Sequence, residues 1–75
     1  MERTLQCREC DRLQGEVQGT LSRLVELTTA QLNAFRAQDH AAFMRLDKEL
    51  ENTMGTKERV IGAARQHERE HKKSA

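Results

Sequence analysis

Two short pairs of potential metal ligands lie near opposite ends of the chain. Cys7 and Cys10 form a C-x2-C motif, and His67 and His71 form an H-x3-H motif. Two thiolates and two imidazoles are a ligand set of structural tetrahedral zinc sites, and both spacings fit such sites. A zinc finger separates its two pairs by roughly a dozen residues, whereas residues 11–66 intervene here. A zinc site therefore requires a fold that brings the two ends together.

The composition favours long helices in a small protein. A chain of 75 residues forms at most one small domain, whose core is marginal unless a disulfide, a metal or oligomerisation supports it. Proline, tryptophan and tyrosine are absent and 33% of the residues are charged, which argues against a sheet. The charges are mixed and the net charge is +1, so the basic stripe of a nucleic-acid-binding protein is missing.

The sequence also indicates a cellular location. The first six residues lack the apolar core of a signal peptide, and no apolar run reaches membrane-spanning length. We therefore expect a cytoplasmic protein with neither a membrane nor a nucleic acid as partner. In that compartment, a cysteine pair is metal-bound or redox-active more often than it is a structural disulfide.

Apolar residues spaced by three or four positions predict a first helix over residues 4–37. The members of this stripe are Cys10, Leu13, Val17, Leu21, Leu24, Thr28, Leu32 and Phe35. Several of them recur at intervals of about eleven residues, which predicts a nearly straight helix with little or right-handed supercoiling.

Asp39 is a favourable N-cap residue, which predicts a turn at residues 38–39 and a second helix over residues 40–72. The apolar stripe of this helix contains Phe43, Leu46, Leu50, Met54, Ile61 and Ala64, with the stem of Lys57 filling one position. Gly55 could interrupt the helix, but the stripe keeps its phase across this glycine and so favours one continuous helix.

A short connection between two helices predicts an antiparallel hairpin. In this register, facing residues have numbers that add up to about 78, so Phe35 faces Phe43. Leu5, Val25, Leu27, Met44 and Val60 lie off the main seam. Because this leaves a second apolar surface, the predicted architecture is an all-α, coiled-coil-like two-helix hairpin that dimerises into a four-helix bundle.

The same register brings the two ligand pairs together. It places Cys7 opposite His71, and Cys10 opposite His67 or Glu68. The set Cys7, Cys10, His67 and His71 leaves no open coordination position, which is typical of a structural zinc ion rather than a catalytic one.

At C-R-E-C-D-R-L and again at K-E-R-V-I-G-A-A-R-Q-H-E-R-E-H, the chain resembles a loose group of small uncharacterised bacterial helical-hairpin proteins. These proteins combine an N-terminal CxxC-type cluster with a C-terminal HxxxH motif. The resemblance implies a bacterial cytosolic origin and no enzymatic activity.

The sequence thus predicts a non-enzymatic helical interaction module, clamped by zinc, that binds itself or a partner protein helix. No catalytic residues are expected, since no orienting group, oxyanion hole or pocket is evident. One alternative is a metal- or redox-responsive regulator whose hairpin opens on metal loss or thiol oxidation. Another is a metal-free helical chaperone or adaptor. A thioredoxin-like use of the C-x2-C motif is disfavoured because no strand precedes it.

Overall fold

The chain forms an all-α hairpin of two packed helices. The computed structural model describes the backbone of residues 7–74 and the side chains of residues 7–70. Helix α1 spans Arg8–Arg36, helix α2 spans His40–Ser74, and residues 7–74 contain no strand. The predicted helical hairpin is confirmed. No helix in this part of the chain is long and apolar enough to cross a membrane.

Helix α1 begins at Arg8 because Cys7 caps it. Cys7 has an extended backbone (φ −88°, ψ 104°), and its Sγ accepts a hydrogen bond from the Cys10 amide at 3.3 Å. The sequence placed the start of this helix near residue 4, and residues 1–6 lie outside the described part of the chain. Helix α2 runs without a break through Gly55, as the apolar stripe favoured.

The turn between the helices is closed by backbone hydrogen bonds. The Gln38 amide donates to the Phe35 carbonyl at 3.0 Å, and the Asp39 amide donates to the Ala34 carbonyl at 2.9 Å. These two bonds and the left-handed φ of 58° at Gln38 form a Schellman motif. Asp39 then caps α2, since its Oδ1 accepts the Ala42 amide at 3.1 Å.

Buried and half-buried residues follow a heptad pattern on both helices, with spacings of three and four in alternation. On α1 the seam comprises Cys10, Leu13, Val17, Thr20, Leu24, Leu27, Gln31 and Ala34. On α2 it comprises Phe43, Leu46, Leu50, Thr53, Lys57, Val60, Ala64 and His67. This is the period of a left-handed coiled coil.

The predicted stripe on α1 is therefore correct for Cys10, Leu13, Val17 and Leu24, but its eleven-residue continuation is wrong, because the other four members are exposed. Leu21 is 42% exposed and Leu32 is 46% exposed, whereas Leu27 is only 3% exposed. The period was hidden because polar side chains, Thr20 and Gln31, occupy two seam positions. On α2, Met54 is 46% exposed, and Thr53 holds the seam position instead.

Contacts between the helices run from the turn towards the open end of the hairpin. The rings of Phe35 and Phe43 lie 6.1 Å apart, tilted by 52°, which confirms that predicted contact. Further along, Gln31 Nε2 donates to Asp47 Oδ1 at 3.2 Å.

Candidate metal centre

Three potential metal ligands converge at the open end of the hairpin. The ligand atoms of Cys7, Cys10 and His67 all lie within 4.8 Å of one another. Cys7 Sγ is 3.1 Å from His67 Nε2, a contact between residues 60 positions apart. All three residues are half-buried. This Cys-Cys-His group is placed to bind a metal ion.

Local structure explains why these side chains meet. Cys10 and His67 are the outermost described members of the two heptad series, so the seam itself turns them towards each other. Cys7 joins them through its role as N-cap, because the hydrogen bond from the Cys10 amide holds its sulfur over the first turn of α1. The two thiols therefore come from one helix terminus and the imidazole from the facing helix.

The predicted register set Cys7 opposite His71 and did not include a contact with His67. Cys7 does contact His67, because it precedes the helix and its side chain lies over the first turn. The convergence of Cys10 with His67 agrees with the register. The side chain of His71 lies outside the described residues. Its backbone belongs to α2, one turn beyond His67, and the four-ligand set stays a prediction.

The electrostatics of the group disfavour two ionised thiols without a cation. The Cys7 thiol raises the pKa of Cys10 through the hydrogen bond between the two side chains, and burial adds to this effect. The negative charges of Cys7, Asp11 and Glu9 raise it further. A bound metal ion reverses this preference, since a coordinated thiol is deprotonated.

Glu9, an acidic side chain close to the ligands in sequence, is paired with a basic one. Arg12 forms ion pairs with Glu9 and, at 2.7 Å, with Glu16. The hydrogen bond with Arg12 is the main reason that the pKa of Glu9 lies below its usual value, and the same bond raises the pKa of Arg12. Glu9 is thus held on the outer surface of α1, where it contributes negative charge but not a ligand within the Cys-Cys-His group.

An open groove of about 740 Å³ adjoins the ligands between the two helices. Its apolar lining comes from Leu13, Val17, Ile61 and Ala64. The groove is not predictable from the stripe of either helix alone, because its walls combine residues of both helices. The signal that could have located it is the strict alternation of three- and four-residue spacings.

Comparisons with protein-family models, with curated proteins and with solved structures gave no match. A helical hairpin serves many unrelated functions, so the fold does not by itself specify an activity. The function is therefore inferred from the residues of the site.

Proposed function

We propose that this protein is a non-enzymatic helical interaction module whose open end is clamped by a structural zinc ion. The ligands are Cys7, Cys10, His67 and His71, and the location is the bacterial cytoplasm, where the thiols stay reduced. The partner is a second copy of the chain, in a four-helix bundle, rather than a nucleic acid or a membrane. The observation that carries the metal site is the approach of Cys7, Cys10 and His67 to within 4.8 Å.

The chemistry of the donors favours zinc. Thiolate and imidazole ligands in a tetrahedral arrangement suit Zn²⁺, whereas Mg²⁺ and Ca²⁺ prefer oxygen ligands. Two thiolates also neutralise the charge of a divalent ion. The fourth ligand decides the class of site, because three protein ligands leave a position open to water, as in catalytic zinc enzymes. With His71 as the fourth ligand, no coordination position stays open to water, and the site is structural.

A clamp at this end compensates for a weak core. The buried apolar residues of the described chain are Leu13, Leu27 and Ala34, and each keeps 3–8% of its surface exposed. Beyond Ile61, the α2 seam offers only Ala64 and His67, which bury little apolar surface. A metal ion that joins the first turn of α1 to the end of α2 supplies the missing stabilisation, since binding free energy becomes folding free energy.

The test is to measure the metal content and thermal stability of the untagged full-length chain. We expect one zinc ion per chain in the wild type, and loss of zinc with a lower melting temperature in Cys10→Ser and His67→Ala. His40→Ala is the matched control, because His40 is exposed at the turn end. A wild-type protein that contains no metal and melts identically after chelation contradicts the proposal.

His71 is tested separately by loading the protein with Co²⁺ and recording its absorption spectrum. A four-coordinate thiolate–imidazole site gives intense visible bands. In His71→Ala we expect altered bands and metal affinity lowered by about tenfold or more, because loss of a supporting partner alone costs 10–100-fold. An unchanged spectrum and affinity would exclude His71 as a ligand and leave the fourth position open.

Regulation through the same cysteines is the second candidate function. Cys7 and Cys10 are only half-buried and sit three residues apart at a helix N-terminus. A small-molecule disulfide that accepts two electrons would convert both thiols into one intramolecular disulfide, yielding two small-molecule thiols and releasing the metal. This function predicts that oxidised glutathione releases zinc and that a reductant restores binding. Zinc that stays bound under these conditions favours the purely structural clamp.

A further inference from the structure

The two sides of the hairpin differ in polarity. With the seam residues at heptad positions a and d, every large exposed hydrophobic side chain in the described chain falls at position b or e. These are Leu21, Val25, Leu32 and Phe35 on α1, and Met44 and Met54 on α2. Single exposed hydrophobic residues are ordinary on a protein surface, whereas a row on one side marks an interaction surface.

The opposite side carries ion pairs at positions c and g. Arg23 bridges the two helices there, with Glu26 at 3.8 Å on its own helix and Glu49 at 3.6 Å on α2. Arg12 and Glu16 form another pair at 2.7 Å on the same side. The c/g side is suited to water, whereas the part of the b/e side that α1 contributes is not.

The outward face of α1 carries no charge over most of its length. Between residues 13 and 35 the charged residues are Glu16, Arg23 and Glu26, and all three occupy positions c or g. Positions b, e and f of the same segment hold only uncharged residues. Since 33% of the whole chain is charged, this face stands out, and charge depletion is what distinguishes the core of a protein interface.

The apolar residues of this face form a second stripe with heptad spacing. The second stripe comprises Leu21, Val25, Thr28, Leu32 and Phe35, separated by four and three residues in alternation. We infer that the second stripe pairs antiparallel with the same stripe of a second copy, so that the two α1 helices form the centre of a four-helix dimer. The antiparallel register sets Leu21 against Leu32 and Val25 against Thr28 across the two-fold axis.

Charge explains why α1 rather than α2 lies at the centre. Positions b and e of α2 carry four carboxylates, those of Asp47, Glu51, Glu58 and Glu68, against one cation, Arg65. Two α2 helices facing each other would bring these like charges together, which is unfavourable in an interface. In the inferred dimer, α2 flanks the centre and keeps its carboxylates at the solvated rim.

The available area is sufficient for a stable dimer. The hairpin measures 54 × 18 × 13 Å, so its broad face, with α1 at the centre and α2 at the rim, projects an area of about 1,000 Å², comparable with the roughly 800 Å² that each partner contributes to a standard interface. The groove lined by Leu13, Val17 and Ile61 opens on this side and extends the apolar surface towards the open end. This inference rests on the proposed interaction module but not on its metal ion.

Sedimentation equilibrium of the zinc-supplemented full-length chain tests the surface. We expect a dimer for the wild type and a dimerisation constant weakened at least about 100-fold in Val25→Glu and Leu32→Glu, since a buried unpaired charge is costly. Asn33→Glu is the matched control, because it adds the same carboxylate to α1 on the ion-paired side. Circular dichroism and metal content of each variant show whether the hairpin is intact.

A double variant tests the antiparallel register. In Val25→Glu/Thr28→Lys, the antiparallel dimer faces each introduced carboxylate with an introduced ammonium group, so dimerisation should recover relative to Val25→Glu alone. A parallel pairing would set like charges against each other and would not recover. Lack of recovery overturns the antiparallel register.

The remaining outcomes separate this inference from the zinc clamp. A wild type that binds zinc but stays monomeric at about 100 μM, a concentration that populates even a dimer of micromolar Kd, overturns the dimer and leaves the clamp intact. A dimer that Val25→Glu and Leu32→Glu do not weaken places the interface elsewhere and also overturns the inference. A metal-free wild type that dimerises through this face supports the inference and contradicts the clamp. A monomer that binds only helices of other proteins overturns the second copy as partner.

Discussion

The backbone conformation and helix capping fix the turn end of the hairpin. The open end depends instead on side chains that a metal ion can join. At the turn, the left-handed residue Gln38 and the cap at Asp39 fix the path of the backbone. At the open end, the helices meet through the contact of 3.1 Å between Cys7 and His67. The two ends therefore depend on different kinds of interaction.

Both ends use a side chain to cap a helix, and this similarity shows what is special about the open end. Asp39 Oδ1 accepts the Ala42 amide at 3.1 Å, and Cys7 Sγ accepts the Cys10 amide at 3.3 Å. A carboxylate is a common cap. A thiolate in the same position can also bind a soft metal ion, so at the open end capping and metal binding share one atom. Metal binding should thus order the first turn of α1 and join the helices in one step.

Removal of the metal should have the largest effect, and it should be confined to the open end at first. Structural zinc contributes about 10–16 kcal/mol in zinc-finger peptides, so we expect a chelator to lower stability by several kcal/mol. Hydrogen exchange should show lost protection at residues 8–17 and 60–70, while residues 28–50 stay protected longer. A uniform loss of protection along both helices would mean that the metal does not stabilise the open end more than the turn end.

Leu27→Ala should have the next largest effect, because Leu27 is 3% exposed and truncation of a buried leucine costs about 2–5 kcal/mol. The comparison is Leu32→Ala, which changes a residue that is 46% exposed. Both are measured by urea unfolding in the Val25→Glu background, so that dimerisation does not contribute. Equal losses of unfolding free energy in the two variants would favour the eleven-residue stripe over the heptad seam.

The contrast between Leu27 and Leu32 also shows that some features of the fold can be predicted from the sequence and others cannot. The two helices, the turn and the contact of Phe35 with Phe43 were predictable, because turn residues and apolar spacing act locally. The convergence of Cys10 with His67 followed from equal arm lengths. The heptad phase did not follow, since Thr20 and Gln31 occupy seam positions that only packing identifies. The contact of Cys7 with His67 was missed because a capping side chain does not obey helical spacing.

Acid should weaken the open end through competition between protons and metal. The metal-free group favours a protonated Cys10, since the Cys7 thiol raises the pKa of Cys10. Each ligand proton that metal binding must displace lowers the apparent affinity about tenfold per pH unit of acidification. Competition with a chromogenic chelator between pH 8 and pH 6 should show affinity falling as the pH falls. A pH-independent affinity would mean that no thiol proton is released.

At the turn end, Asp39→Ala should lower stability by about 1 kcal/mol, the usual cost of removing an N-cap side chain. Asp39→Asn keeps an oxygen that accepts the Ala42 amide and should cost much less. Thermal unfolding of metal-free protein isolates this contribution from the clamp. If alanine and asparagine behave alike, the hydrogen bond of 3.1 Å does not stabilise α2.

Gln38→Gly should give the smallest change, and it should be stabilising. Gln38 adopts a φ of 58°, which costs an L-residue about 1–2 kcal/mol that glycine avoids. Glycine also has more freedom in the unfolded chain, so the expected net gain is about 0.5–1 kcal/mol. Gln38→Ala keeps the side-chain Cβ and should give no gain. Because the substitution lies in the turn, the amides near Cys10 should not become better protected against hydrogen exchange. Increased protection of these amides would show that the turn limits closure of the metal centre.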